Sequence, residues 1–207
     1  MIKGDLAREL FSVGAIKFGA FRLKLHEENP DAPLSPIYID LRILRSLPLV
    51  MGLVVEAYRA LISDSNIAFD CYADVPTAAT PIVAVLSQRT GIAMISPRLD
   101  ARTHGTKRKI EGIFYEEQVI LLIDDLITTA GSKLEAISVL EENGLIVHDV
   151  AILVDREQGG VQELSKHGYT CHAVFKLGEL LSFYEASQLI DNDTYKRVTD
   201  YLQSQKS

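Results

Sequence analysis

The chain has 207 residues, of which 47% are hydrophobic, and a formal net charge of −7 at pH 7. This length suits a single domain with an ample core, and the apolar content excludes a disordered chain. The acidic balance argues against general nucleic-acid binding, which needs a broad positive surface.

The two cysteines, Cys71 and Cys171, lie far apart and lack the spacing of a metal site. We therefore expect reduced, mostly buried thiols in a cytoplasmic protein. No apolar run approaches the length of a membrane span, and residues 1–14 do not resemble a signal peptide. The expectation is a protein that acts without a membrane and without nucleic acid.

The N-terminal part predicts a helix and two strands outside the main sheet. Apolar residues at helical spacing predict a short helix over residues 5–13. Residues 18–25 and 37–42 each alternate apolar and polar side chains, which is typical of strands. Residues 26–36 are rich in proline and acids and predict a loop. We therefore expect a small hood, formed by about residues 15–45, beside the main sheet.

Strands and helices then alternate from residue 50 to residue 175. Predicted strands cover residues 68–73, 93–96, 119–123, 147–154 and 171–175, and predicted helices cover 51–62, 81–90, 133–143 and 161–167, with two more over 177–189 and 193–203. This order predicts an α/β fold with a parallel sheet flanked by helices. Ligands of such sheets bind beyond the carboxyl ends of the strands, where segments 74–77, 124–132 and 155–156 all fall.

The middle of the chain carries the most informative pattern. Val119–Ile123 is apolar throughout and too short for a full helix, so it predicts a strand buried on both faces. Asp124 and Asp125 follow where this strand is expected to end, and a hydroxyl-rich turn, Thr128–Ser132, comes next. The acids could simply end a strand at a solvated turn. The hydroxyl-rich turn that follows the two acids favours a binding site instead.

A helix is predicted directly after this turn. Ser132 and Glu135 have the spacing of a capping box, and Gly144 is a natural stop. A strand, a tight turn and a helix N-terminus together predict an anion site, because free backbone N–H groups converge there.

The order of these residues resembles the 5-phosphoribosyl 1-pyrophosphate (PRPP) loop of type I phosphoribosyltransferases. The chain lacks both the P-loop and the dinucleotide-binding patterns. Further segments resemble orotate phosphoribosyltransferases, namely residues 18–24, 35–42, 105–112 and 155–160. The resemblance covers residues 15 to about 184 and four motifs in the family's order.

The resemblance implies the type I phosphoribosyltransferase fold as one domain over residues 1–207. It also implies transfer of the phosphoribosyl group of PRPP to orotate, which gives orotidine 5′-monophosphate and pyrophosphate in UMP biosynthesis. Mg²⁺ is the implied cofactor; it would travel with the pyrophosphate oxygens and meet Asp124 and Asp125 through water. The implied assembly is a homodimer with shared active sites.

The resemblance also implies site residues, at the positions of this chain that match the family's motifs. The PRPP site would hold Thr77, Arg98, Arg102, His104, Asp124, Asp125, Thr128, Thr129, Ala130, Gly131 and Ser132. The orotate site would hold Lys24, Tyr38, Ile39, Thr128 and Arg156, and the catalytic set would be Lys24, Arg102, Asp124 and Asp125. Arg156 would meet the orotate carboxylate, because a guanidinium fork suits two oxygens. Arg98, Arg102 and His104 would serve the partner's site, from a basic run that could otherwise be a solvated face.

Several positions depart from the family's pattern. Leu99 and Arg102 stand where members commonly carry lysines, and Ala78 stands where many bacterial members carry one. Ala130 replaces the usual glycine of the PRPP loop. These departures leave open a PRPP-binding regulatory or weakly active homologue, or a phosphoribosyltransferase for another base. Lys24 and Arg156 favour orotate over purines, since both suit an anionic ring.

Overall fold

The computed structural model describes residues 2–22, 25–99 and 109–204. The helices are α1 Ile2–Ser12, α2 Leu25–Glu28, α3 Pro48–Asp64, α4 Thr80–Thr90, α5 Gly131–Glu141, α6 Gly160–Lys166, α7 Leu177–Ala186 and α8 Asn192–Ser204, with a 3-10 helix over Leu41–Ser46. The strands are β1 Ile16–Phe21, β2 Ser35–Ile39, β3 Cys71–Asp74, β4 Met94–Pro97, β5 Ile110–Glu111, β6 Val119–Ile127, β7 Ile146–Asp155 and β8 Thr170–Lys176. Within these ranges, no helix has both the length and the apolar character needed to cross a membrane.

The main sheet has the strand order β5-β4-β3-β6-β7-β8. Strands β3, β4, β6, β7 and β8 are mutually parallel, and β5 runs antiparallel to β4 at the edge. The predicted α/β fold with a parallel sheet and flanking helices is therefore confirmed. Strand β5 was not predicted, because two residues are too few to show a pattern. From β3 the chain continues through α4 to β4 on one side, whereas β6 lies on the other side, so a switch point lies between β3 and β6.

The core forms on both faces of β6, as its apolar run predicts. Residues Ile120–Ile123 are at most 1% exposed. Leu121 and Ile123 join a cluster with buried residues of α1, α3, α4 and α7, whereas Ile120 and Leu122 join one with residues of α5 and α6. Burial of each such side chain stabilises the fold by about 1.5–3 kcal/mol, so this strand is firmly held at the centre of the molecule.

The predicted pair of strands outside the main sheet is also confirmed, but the bounds of the first strand, predicted over 18–25, are wrong, since β1 ends at Phe21 and α2 begins at Leu25 and extends into the predicted loop. β1 and β2 form a separate antiparallel sheet in which Ile16 pairs with Ile39. The second strand is shorter than predicted, because Asp40 caps the following 3-10 helix. Its Oδ1 accepts hydrogen bonds from the Arg42 backbone N–H at 3.2 Å and from Arg42 Nε at 2.7 Å. The alternation through Arg42 is therefore a helix cap rather than a continued strand.

Candidate active site

The candidate site lies where β3, β6 and β7 end side by side. Asp74, Asp124 and Asp155 each stand at or near one of these ends, and each is at most 7% exposed. The three segments that the sequence places at strand ends therefore lie at one edge of the sheet. Charged groups so thoroughly buried need compensation, which marks this edge as the chemically unusual part of the fold.

The acid pair lies inside β6 and not after it. Asp124 pairs with Ile152 of β7, and the pairing continues through Leu126 to Ile127. The predicted strand end at Ile123 is wrong, because β7 is ten residues long and supplies partners beyond the apolar run. Neighbouring side chains of a strand point to opposite faces, so the two carboxylates leave β6 in different directions.

Asp124 is held by groups of the protein itself. Its Oδ2 lies 2.5 Å from the ammonium nitrogen of Lys133, and its Oδ1 accepts a hydrogen bond from the Asp125 N–H at 2.8 Å. Its carbonyl accepts a 2.5 Å hydrogen bond from the buried hydroxyl of Tyr58. The backbone and the side chain of Asp124 are thus both fixed.

Asp125 has an unusual electrostatic environment. Burial first and the neighbouring Asp124 carboxylate second raise the pKa of the Asp125 carboxyl to about 7, although Lys133 opposes this rise. A carboxyl group that titrates near neutral pH at a strand end is typical of a functional site.

The turn after the acid pair presents an open helix N-terminus. Thr129, Gly131 and Ser132 are exposed, and α5 begins at Gly131. The predicted Ser132–Glu135 capping box is wrong, because the N-cap is Ala130, which makes no side-chain cap hydrogen bond. Ser132 therefore lies within the first turn, where exposed N–H groups and the helix dipole favour an anion.

Ala130 is compatible with this turn although it replaces the usual glycine. Its φ of −83° is open to any L-residue, and its side chain is fully buried in the cluster around Ile127. Its N–H donates a 2.9 Å hydrogen bond to Glu163 Oε2 from α6. This departure from the family's pattern therefore leaves the turn intact.

Arg156 lies directly beside this turn. Its backbone N–H donates to the Ile127 carbonyl at 3.0 Å, and the Gly160 N–H donates to the Thr128 carbonyl at 3.1 Å. The Arg156 side chain is half-buried, and its Nε has no hydrogen-bond partner among the described residues. Burial lowers the pKa of the guanidinium. Across the described ranges, no carboxylate forms an ion pair with Arg156. A partly desolvated cation that lacks such an ion pair favours an anionic ligand.

Gly160 is required for this close approach. A Cβ at position 160 would lie 2.6 Å from Ile127 Cγ1 and 2.9 Å from the Thr128 carbonyl oxygen. The Thr128 carbonyl is backbone and belongs to the turn, so it has little freedom to move.

We expect Gly160→Ala to destabilise the protein by about 1–3 kcal/mol, because overpacking forces the turn away from α6. Denaturant unfolding measures this change. The matched control is Gly52→Ala within α3, where an added Cβ meets no atom within 4 Å. Equal stability of the two variants would contradict the tight packing at Gly160.

The other predicted site residues are only partly described. Tyr38 and Ile39 are half-buried on β2, and the Tyr38 hydroxyl accepts a hydrogen bond from Arg42 at 3.3 Å. The Thr77 carbonyl accepts a 3.3 Å hydrogen bond from Arg45, a contact that the sequence did not predict. Arg98 forms an ion pair with Glu111 of β5. Lys24, Arg102 and His104 lie outside the described residues.

Lys133 is the main functional candidate that sequence reasoning missed. It is the third residue of α5, at the positive end of the helix dipole, where a cation is disfavoured. A lysine in the first helical turn, separated from an acid pair only by a short turn, is a signal that could have identified it.

Comparison with known proteins places this geometry in a family. No family model matches the chain. The uridine 5′-monophosphate synthase of Bos taurus is 35% identical over 200 residues, which cover 97% of this chain and 40% of that protein. The orotate phosphoribosyltransferase of Pyrobaculum aerophilum is 34% identical over 198 residues, which cover 95% of this chain and 97% of that protein.

A solved structure agrees with the sequence relatives. The UMP synthase of Leishmania donovani superposes with a TM-score of 0.84 at 34% identity and covers 98% of this chain and 42% of that one. The chain thus spans about two fifths of the length of the UMP synthases that it matches. Its α/β architecture is that of the type I phosphoribosyltransferases. With one third of its residues identical to a relative that it matches nearly end to end, the chain belongs to the orotate phosphoribosyltransferase family.

Proposed function

We propose that the chain transfers the phosphoribosyl group of PRPP to orotate, and that it does so in the cytoplasm as a step of UMP biosynthesis. The proposal depends on one observation, a pair of main-chain hydrogen bonds. Arg156 and Gly160 donate them to Ile127 and Thr128, where β6 leads into the turn. They join Arg156, a half-buried cation that forms no ion pair within the described part of the chain, to a helix N-terminus that suits an anion. The Arg156 guanidinium suits the carboxylate of orotate, and the helix N-terminus suits the 5′-phosphate of PRPP.

The proposed reaction forms a bond between a ring nitrogen of orotate and C1′ of the ribose, while the bond from C1′ to the pyrophosphate oxygen breaks. The leaving pyrophosphate takes the electron pair, and the ring nitrogen releases its proton to the solvent. Positive charge develops on the ribose, and by the family resemblance the Asp124 and Asp125 carboxylates would hold its hydroxyls and stabilise this charge. Catalysis then rests on positioning and electrostatics, without a covalent nucleophile.

Mg²⁺ dependence is part of the proposal. No group of three or more His, Cys, Asp or Glu side chains within the described part of the chain could hold a metal alone. Two neighbouring carboxylates nevertheless suit a hydrated ion that arrives with its phosphate oxygens, since Mg²⁺ retains several waters. When bound, Mg²⁺ would neutralise charge on the pyrophosphate, and Asp124 and Asp125 would contact its waters.

An assay of orotate consumption tests the proposed function. Purified protein is mixed with PRPP, MgCl₂ and orotate, and the loss of orotate absorbance is followed, with uracil and hypoxanthine as alternative bases. We expect loss of orotate alone, abolished by a chelator and restored by added Mg²⁺. Consumption of hypoxanthine in place of orotate would refute the assignment of the base.

One observation favours a second candidate, a PRPP-binding homologue with slow transfer. Leu99 stands where the family commonly has a lysine, and its side chain packs against the apolar cluster on the α5 face of the sheet. A side chain that packs there adds no charge to the site. PRPP binding in a calorimeter, together with undetectable loss of orotate, would favour this candidate over the active enzyme.

We further propose a homodimer in which Arg98, Arg102 and His104 serve the partner's site. This proposal rests on the family resemblance of residues 98–112, the basic run that contains them. Mixing Arg102→Ala with Asp125→Asn after dissociation tests it. If the run crosses between subunits, half of the dimers are mixed and one of their two sites is intact, so about a quarter of full activity returns.

A matched mixture serves as the control for this test. Arg156→Ala and Asp125→Asn alter residues whose segments are hydrogen-bonded to each other within one chain. Mixing these two variants should restore nothing, because every site keeps one defect. Restoration in neither mixture would show that each basic run serves its own subunit.

A further inference from the structure

The buried ammonium group of Lys133 has no role in the reaction as proposed. Its residue is 4% exposed, as is Asp124. The Lys133 Nζ lies 2.5 Å from Asp124 Oδ2, and it donates to the Leu126 carbonyl at 2.6 Å and to Ser132 Oγ at 3.4 Å. An ammonium group has three N–H donors, so these three acceptors satisfy it.

The helix itself does not favour a cation at this position. Lys133 lies in the first turn of α5, where the helix dipole is positive, and its neighbours Ala136 and Ile137 are buried apolar residues. Burial of an ammonium group costs free energy unless it is paired and hydrogen-bonded. The contact with Asp124 therefore explains why the side chain turns inward.

The three contacts of Lys133 span the phosphate-binding turn. Asp124 and Leu126 precede the turn, Ser132 is its last residue, and Lys133 follows it. The side chain thus ties the end of β6 to the start of α5 from inside the protein. Because Asp124 Oδ1 is also bonded by the Asp125 N–H, the Asp124 carboxylate has one fixed orientation.

Charge gives Lys133 a second effect. PRPP carries a phosphate and a pyrophosphate, so two adjacent carboxylates repel it unless one is neutralised. Lys133 supplies one positive charge within bonding distance of Asp124. The acid pair and the lysine together then present a single net negative charge.

We propose that Lys133 is a positioning residue for PRPP. It fixes the orientation of the Asp124 carboxylate and links the end of β6 to the start of α5 across the turn. When both acids are ionised, it also halves the net negative charge that the acid pair presents to the substrate. This inference rests on the proposed PRPP-dependent function.

The first test is Lys133→Met, which keeps the length of the side chain and removes its charge. We expect the Kd of PRPP, measured by calorimetry, to rise about tenfold, as loss of one charge-assisted contact predicts. The KM of orotate should change by less than threefold, because Arg156 is untouched. Lys166→Met, at an exposed position of α6, is the matched control and should bind PRPP like the parent.

A double variant separates positioning from a purely structural role. Asp124→Asn combined with Lys133→Met removes both buried charges, so its thermal midpoint should lie above that of Lys133→Met. Its Kd for PRPP should stay about tenfold above the parent's, because the fixed carboxylate is missing. Recovery of both the midpoint and the PRPP affinity would show that Lys133 only neutralises a buried charge, and would overturn the proposal.

The remaining outcomes are also decisive. If Lys133→Met does not fold, Lys133→Leu takes its place as an uncharged side chain without a donor, and a parent-like PRPP affinity in the variant that folds overturns the inference. Equal loss of affinity for both substrates overturns it too, because it indicates a general structural role. A parent protein that does not bind PRPP refutes the proposed function as well, whereas a binding parent with unaffected Lys133 variants refutes this inference alone.

Discussion

Replacing Arg156 by alanine is expected to raise the KM of orotate by roughly tenfold to a hundredfold, because each charge-assisted hydrogen bond contributes about 1.5–3 kcal/mol. The KM of PRPP should change by less than threefold, since the turn that would hold its 5′-phosphate is built from Thr128–Ser132. Steady-state kinetics with each substrate varied in turn measure the two effects separately. Arg156→Lys should lie between the parent and the alanine variant, because it keeps the charge but loses the planar fork.

Stability provides an independent readout of the same substitution. Arg156 is half-buried, its Nε has no hydrogen-bond partner among the residues that the structure describes, and burial lowers the pKa of its guanidinium. Without ligand this cation is a source of strain, so Arg156→Ala should not lower the free energy of unfolding, unlike most substitutions of buried residues. Such a combination, lost orotate binding with retained stability, is typical of a ligand-binding group.

Arg89→Ala is the matched control for Arg156→Ala. Arg89 lies in the last turn of α4 and is exposed, so its removal should alter neither KM value. An equal rise of both KM values in Arg156→Ala would indicate a distorted turn, and would remove the assignment of Arg156 to the orotate carboxylate.

The sequence predicted most of the fold because its signals are local. The apolar run at Val119–Ile123 specifies a buried central strand whatever surrounds it, and the alternation in the N-terminal part specifies the separate strand pair. The end of β6 is different, because the strand continues through Asp124 and Asp125 only where β7 supplies partners. Pairing between strands that are distant in sequence is not encoded in either strand alone.

The sequence predicted that the strand-end segments of the candidate site meet at one edge of the sheet, but not their internal contacts. Matching motifs placed Asp124, Asp125 and Arg156 at one edge of the sheet, and the structure brings their segments together. The ion pair of Asp124 with Lys133 depends on a helix that begins two residues earlier than predicted. The missing counter-charge of Arg156 also could not be read from sequence, because it depends on every chain segment that packs around it.

Asp125→Asn is expected to lower kcat/KM about a hundredfold at pH 8 and to remove part of the pH dependence of PRPP binding. The size of this decrease in kcat/KM follows from the loss of a preorganised contact to the charge that develops in the transition state, which is worth about 2.7–4 kcal/mol. Burial, aided by the Asp124 carboxylate, raises the pKa of Asp125 to about 7. Between pH 8 and pH 6 the fraction of ionised carboxylate falls roughly tenfold, so the parent's affinity for PRPP should fall by a similar factor.

The same pKa shift predicts how stability changes with pH. The folded-state pKa of Asp125 lies above the ordinary aspartate pKa of 3.8, so the folded protein binds this proton more tightly than the unfolded chain does. The resulting stabilisation is fully present below the unfolded pKa and is lost as the pH rises through about 7. The free energy of unfolding of the parent should therefore decrease more steeply from pH 4 to pH 8 than that of Asp125→Asn.

Comparing the pH profiles of the parent and Asp125→Asn separates the titration of Asp125 from that of PRPP. The phosphate of PRPP also changes its charge near pH 6, so some pH dependence of binding should remain in Asp125→Asn. Calorimetric Kd values from pH 6 to pH 8 give the difference between parent and variant, which should be about tenfold over this range. Identical pH profiles for binding and for unfolding would show that Asp125 is ionised throughout. Its carboxylate would then be open to solvent rather than buried beside Asp124, and the electrostatic design of the acid pair would have to be revised.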